Sequence, residues 1–208
     1  MTEIGATHII SAFDAIAGVM ETNRDALCAL DGEIGDADHG IGMALGFGAI
    51  RTALATLEAA ATPTDVFNTA AKSFLNAVGA STGPLYATAF MRAAAAVKGK
   101  NVLETEDISV VLTAMADGIA HRGKAALGDK TMLDVWRPAA EAAHATSGST
   151  RDILGAATDA AETAAKATKA MEAKLGRAAR LGARSIGHVD PGAASAAIMI
   201  RTLADSLS

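Results

Sequence analysis

Residues 7–30, "THIISAFDAIAGVMETNRDALCAL", decide how the rest of the chain is read. Ile9, Phe13, Ile16, Met20, Leu27 and Leu30 recur at helical spacing, which puts them on one face of a helix. The same period predicts further helices over about 40–60, 64–79, 84–98, 106–121, 131–146, 150–175 and 191–206. Nothing alternates like a strand of useful length, and alanine, the strongest helix former, fills every segment. The alanine-rich stretch 150–175 still carries Ile153, Leu154, Met171 and Leu175, with a Glu162 to Lys166 pair at i,i+4, so it reads as an ordinary amphipathic helix. Thr64, Asp190 before Pro191, and the glycine-bearing joints "KGKN", "RGKAALGDK" and "TSGST" mark helix ends and starts. The expectation is an all-α bundle of eight helices forming a single domain over residues 1–208.

The bulk properties agree with a soluble globule. A chain of 208 residues suits one domain that buries roughly 70% of its unfolded surface. Its hydrophobic share of 50% is about half alanine, with no apolar run long enough to span a bilayer. The N-terminal "MTEIGATHII" lacks the basic and apolar regions of a signal peptide, so a cytoplasmic location is expected. Cys28 has no partner for an internal disulfide and falls on the 7–30 stripe, where a small buried hydrophobe is expected. A net charge of −5 and an aromatic share of 3% argue against a nucleic-acid surface.

Four linkers carry unusual residues: the acidic run 31–40, "GASTGP" at 79–84, "RGKAALGDKT" at 122–131, and "GRAARLGARSIGHVDPG" at 176–192. They follow the first, third, fifth and seventh segments, and in an up-down bundle such joints share one end. One rim should therefore gather all four into a site.

The acidic run contains "EIGDADHG", residues 33–40, with Asp31 just before it. Carboxylates about 5 Å apart repel by roughly 3 kcal/mol per pair at an effective dielectric of 20, so a cation is needed. An EF-hand would require a glutamate at the twelfth position, but counting from Asp31 or Asp36 reaches Gly42 or Phe47. Zinc would find one histidine and no cysteine in the run. Magnesium suits a few carboxylates that leave positions open for water and phosphate. Gly40, Gly42, Gly46 and Gly48 then open a helix whose first N–H groups favour an anion. "GASTGP" adds hydroxyls and close backbone access, while "GDKT" and Arg177 add positive charge against phosphate. A magnesium–nucleotide site is the functional reading.

Each piece also has a plain structural reading. An acidic loop is often a solvated turn, and Asp-Pro-Gly is a common helix start. Gly42 and Gly46 suit close helix packing, and Thr131 with Asp134 suits a capping box. His39, His188 and Met132 suit structural roles, and Trp136 and Pro138 suit packing and kinking a helix. Only the convergence of the four loops favours function.

The motifs "GEIGDADHGIGM", "GASTGPLYATAF", "RGKAALGDKTMLDVWRPA" and "GRAARLGARSIGHVDPGAAS" resemble, in order and over essentially the whole length, the nucleotide-binding L subunits of dihydroxyacetone kinases. The resemblance implies a closed barrel of eight antiparallel helices, with two magnesium ions and ADP or ATP in loops at one rim. It places Asp31, Asp36 and Asp38 on magnesium, and His39, Gly40, Ile41, Ser81, Thr82, Gly123, Met132, Arg177, Asp190, Pro191 and Gly192 on the nucleotide. It also implies that the sugar and its base lie on a separate K subunit, so this chain contributes no catalytic base. The motif "GDADHG" looks more like L subunits with a fixed ADP, recharged by a phosphotransferase protein, than like free-ATP kinases. A homodimer is a further expectation. The alternatives are a subunit of an erythrulose-type ketose kinase and a nucleotide-loaded regulatory module. Three departures stand out: Gly42 and Leu45 where the family usually has Asn and Arg, "GASTGP" for "GGASGP", and Arg180 where tyrosine is common.

Overall fold

The 7–30 period does not run as one helix. In the computed structural model, which describes residues 3–79 and 82–208, it divides into α1 (Ala6–Thr22) and α2 (Arg24–Ile34). Asn23 makes the break: its backbone leaves the helical region at φ −93°, ψ 4°, and its side-chain amide donates to the Val19 carbonyl at 2.9 Å, beside the ordinary helical bond from its own N–H. Asparagine competes for backbone partners in this way and ends a helix that apolar spacing alone would continue. As a result α2 runs on to Ile34, and Asp31 stands on its last turn rather than in a loop. The break also leaves Cys28 half-buried instead of in the core.

The remaining helices are α3 (His39–Leu54), α4 (Pro63–Ala77), α5 (Thr82–Ala96), α6 (Thr105–Gly123), α7 (Leu133–Ala145), α8 (Thr150–Ala167) and α9 (Pro191–Leu207). A two-residue strand β1 (Ile4–Gly5) pairs antiparallel with β2 (Val102–Leu103). Helix α4 starts earlier than expected, because Thr62 rather than Thr64 forms the capping box with Asp65, and Pro63 takes the first turn. Helix α8 stops at Ala167 and tightens into a 3-10 turn at Thr168–Ala170. The Thr168 hydroxyl donates to Ala165 O at 2.6 Å and accepts from Asp190 N at 3.0 Å, turning the chain toward α9. Met171 and Leu175 therefore belong to the fourth linker, and Glu162 pairs with Arg201 of α9 instead of Lys166.

From α3 to α9 each helix packs on the next, α9 also packs on α1, and α1 on α3, while α2 lies against α3 and α9. All seven aromatic residues in the sequence interlock in the core: Phe13, Phe47, Phe67, Phe74, Tyr86, Phe90 and Trp136. The Phe47 and Phe74 rings meet edge-on with centroids 5.3 Å apart. Alanine and glycine fill the remaining contacts, so helices approach closely; a Cβ on Gly46 of α3 would overlap the Phe74 ring of α4. No helix among the described residues is long and apolar enough to cross a membrane.

Candidate functional site

The acid run folds around Asp31. One of its carboxylate oxygens accepts from the backbone N–H groups of Asp38, at 2.9 Å, and His39, at 3.3 Å. Ala37 adopts the left-handed conformation with φ 61°, which costs a non-glycine residue about 1–2 kcal/mol. That turn brings carboxylate oxygens of Asp31, Asp36 and Asp38 within 4.8 Å of one another. Burial, and then the neighbouring charges of Asp36 and Asp31, raise the Asp38 carboxyl above its ordinary value, while Arg177 opposes the rise. An all-oxygen donor set whose members hinder one another's ionisation fits a small hard divalent cation such as magnesium.

The other linkers reach the same place. Gly83 lets the start of α5 approach the Val78 carbonyl, which a Cβ would overlap, and so brings Thr82 and Pro84 to the site. The third linker is organised by Asp134, whose carboxylate accepts from Gly128 N at 2.5 Å and Thr131 N at 2.8 Å. This extends the expected Thr131–Asp134 cap into a clamp on the whole loop. In the fourth linker Arg177 forms an ion pair with Asp36, and Asp190 caps α9 by accepting from Ala193 N at 2.7 Å. Burial raises the Asp190 carboxyl to about 7, against the stabilising Ala193 N–H and Lys130 charge.

Together the four linkers line a cleft of about 610 Å³, within the range of small-ligand pockets. Of the residues expected on nucleotide or metal, Asp31, Asp36, Asp38, His39, Ile41, Thr82, Gly123, Met132, Arg177, Asp190, Pro191 and Gly192 line it. Gly40 stands behind the wall, where its missing Cβ lets α3 pass against the Arg24 backbone of α2. Ser81 lies outside the described residues. Gly42 lines the cleft, whereas Gly46 serves helix packing.

Two residues have roles that sequence reading did not find. Ser195, one turn into α9, donates to Gly192 O at 3.0 Å, so its oxygen is left to accept from His39 Nε2 at 2.9 Å. His39 is thereby held as the Nε2–H tautomer, and burial lowers its pKa and favours the neutral ring. Lys130, in the "GDKT" expected to place charge against phosphate, turns its side chain into the protein instead. It is 1% exposed and binds four backbone carbonyls of the chain between α8 and α9. The guanidinium groups that line the cleft are those of Arg177 and Arg122. The signal for Ser195 was absent from the linkers, because it lies inside a helix.

A family model described as the DAK2 domain matches residues 33–205. The chain is 39% identical over 204 residues to the PEP-dependent dihydroxyacetone kinase, ADP-binding subunit DhaL, of Escherichia coli K12, covering 97% of each. It is 41% identical over 184 residues to PEP-dependent dihydroxyacetone kinase 1, ADP-binding subunit DhaL, of Listeria innocua, covering 88% of each. Among solved structures, the native dihydroxyacetone kinase of C. freundii superposes with a TM-score of 0.76 at 23% identity, over 99% of this chain and 36% of that one. The chain thus spans about a third of that kinase's length and shares its fold.

Proposed function

This chain belongs to the DAK2-domain family, among the DhaL-type subunits of dihydroxyacetone kinases, and on that premise we propose that it is the nucleotide-holding half of a two-subunit kinase. Residues 1–208 form one nucleotide-binding domain, a closed barrel of eight helices with α2 as an addition outside the ring. The cleft takes ADP or ATP with magnesium, Asp31, Asp36 and Asp38 hold the metal, and a K-type subunit presents dihydroxyacetone. The carrying observation is the convergence of the acid triad and three further linkers on one cleft.

When bound, magnesium supplies positive charge that offsets the terminal phosphate oxygens and orients them for in-line transfer. The protein's own contribution is positioning. At the N-terminus of α3, where Asp31 already takes the Asp38 and His39 N–H groups, the positive dipole end favours the phosphates. Arg177 is tethered by Asp36 at the metal and stands ready to balance charge that develops as the phosphoryl group leaves. His39, neutral and fixed by Ser195, offers its Nδ1 lone pair as an acceptor. Thr82, Gly123, Met132, Asp190, Pro191 and Gly192 wall the remaining nucleotide; Ser81 is assigned to it from the motif alone.

The names of the two subunits described above, PEP-dependent and ADP-binding, favour a nucleotide that stays bound and is recharged by a phosphocarrier protein. A homodimer and a cytoplasmic location complete the reading. Asp36→Ala tests it: magnesium-dependent ADP affinity should fall at least tenfold in calorimetric titration, because both a metal ligand and the Arg177 tether are lost. Affinity that is unchanged and indifferent to EDTA would overturn the proposal.

A further inference from the structure

Lys130 is a buried cation with no carboxylate in contact among the described residues. Its Nζ donates to His188 O at 2.6 Å, Ser185 O at 2.7 Å, Thr168 O at 3.0 Å and Met171 O at 3.1 Å. An ammonium has three protons, so four carbonyls at these distances surround it as they would a metal cation, with the hydrogen bonds shared. Burying a lysine in this way is unfavourable unless charge-assisted hydrogen bonds offset the lost hydration, and burial does lower its pKa. Its backbone is also left-handed, with φ 60°, where glycine would be less strained. A costly side chain at a strained position, saturated with partners, needs a purpose.

The four carbonyls lie on both sides of the fourth linker. Thr168 and Met171 precede its apex, and Ser185 and His188 follow it; Arg177 stands between them. Neighbouring contacts close the same loop: Gly187 N donates to Lys169 O at 2.8 Å, Ala173 N to Ser185 Oγ at 2.9 Å, and Lys174 N to Asp129 O at 3.1 Å. Lys130 is the charged centre of this knot and ties the third linker to the fourth. Without it, four carbonyls face one another across the loop with their dipoles converging.

We propose that Lys130 is a positioning residue: an internal cation that closes the fourth linker at its base and so aims Arg177 and Asp190 at the cleft. Lys130 borders the cleft, but its ammonium is engaged by the four carbonyls. The inference rests on the nucleotide reading for its functional half, but its structural half is measurable without any nucleotide.

In Lys130→Met, amide hydrogen exchange across 172–187 should quicken at least tenfold while α1, α3 and α4 keep their wild-type protection. The ADP dissociation constant with magnesium should rise about tenfold. In Lys130→Ala the missing atoms are those of n-propylammonium, which should restore loop protection and affinity, whereas tetramethylammonium, which cannot donate, should not. If the alanine variant is recovered only unfolded, the same pair of amines is added during refolding, and recovery with n-propylammonium alone supports the proposal. Unchanged exchange at 172–187, a uniform rise over all helices, unchanged ADP affinity with a loosened loop, or no difference between the two amines overturns it. Failure of wild-type protein to bind ADP and magnesium would instead remove the nucleotide reading, leaving the exchange result to judge Lys130.

Discussion

At the scale of single residues, the cleft combines carboxylates with opposite needs. Asp31 accepts two backbone N–H groups, while Asp38 and Asp190 sit where the charged form is disfavoured. The Asp190 carboxyl keeps its proton up to about pH 7 in the folded chain, against an ordinary 3.8. Between those values the folded state binds more protons than the unfolded one, so this group's contribution to stability falls as pH rises. Asparagine caps a helix as well as aspartate and does not titrate. Asp190→Asn should therefore flatten the decline. Urea unfolding from pH 4.5 to 7.5, without metal, should show wild type losing stability relative to the variant by a few kcal/mol at most, since a tenfold change in proton affinity is worth about 1.4 kcal/mol. A parallel pair of curves would place the Asp190 titration elsewhere.

At the scale of elements, glycines in α3 divide into those that fit another chain segment and those that do not. A Cβ on Gly46 would enter the Phe74 ring, whereas one on Gly48 meets nothing within 4 Å. Gly46→Ala should destabilise by roughly 1–3 kcal/mol through overpacking. Gly48→Ala should stabilise by about 1 kcal/mol through helix propensity alone. Opposite shifts of the thermal midpoint for the same chemical change would confirm that the α3–α4 approach, rather than glycine content, matters. The end of α8 makes a similar point, because the Thr168 hydroxyl and the Lys130 ammonium divert a helix that alanine propensity would prolong.

At the scale of the whole molecule, the cleft exists only when the ends of α2, α4, α6 and the chain before α9 meet, so a ligand there binds the folded state alone. ADP with magnesium at a hundred times its dissociation constant should add about 2.7 kcal/mol to stability. Differential scanning fluorimetry should show this as a raised midpoint that EDTA abolishes. An ADP shift that survives EDTA would separate the nucleotide from the acid triad.

The helical class and the four linkers were legible in the sequence because both rest on local physics: alanine propensity, a 3.6-residue period and glycine-bearing interruptions act within a few residues of one another. The acid triad was legible for the same reason, since three carboxylates so close in the chain repel in almost any conformation. What the tertiary structure decided is where local rules compete with distant partners. Lys130 turned from the phosphate side to four carbonyls up to 58 residues away; Ser195, silent inside a helix, fixed the ring of His39 from 156 residues away. Sequence spacing carries no signal for such pairs, because hydrogen bonds and burial between them are created only when the helices have packed.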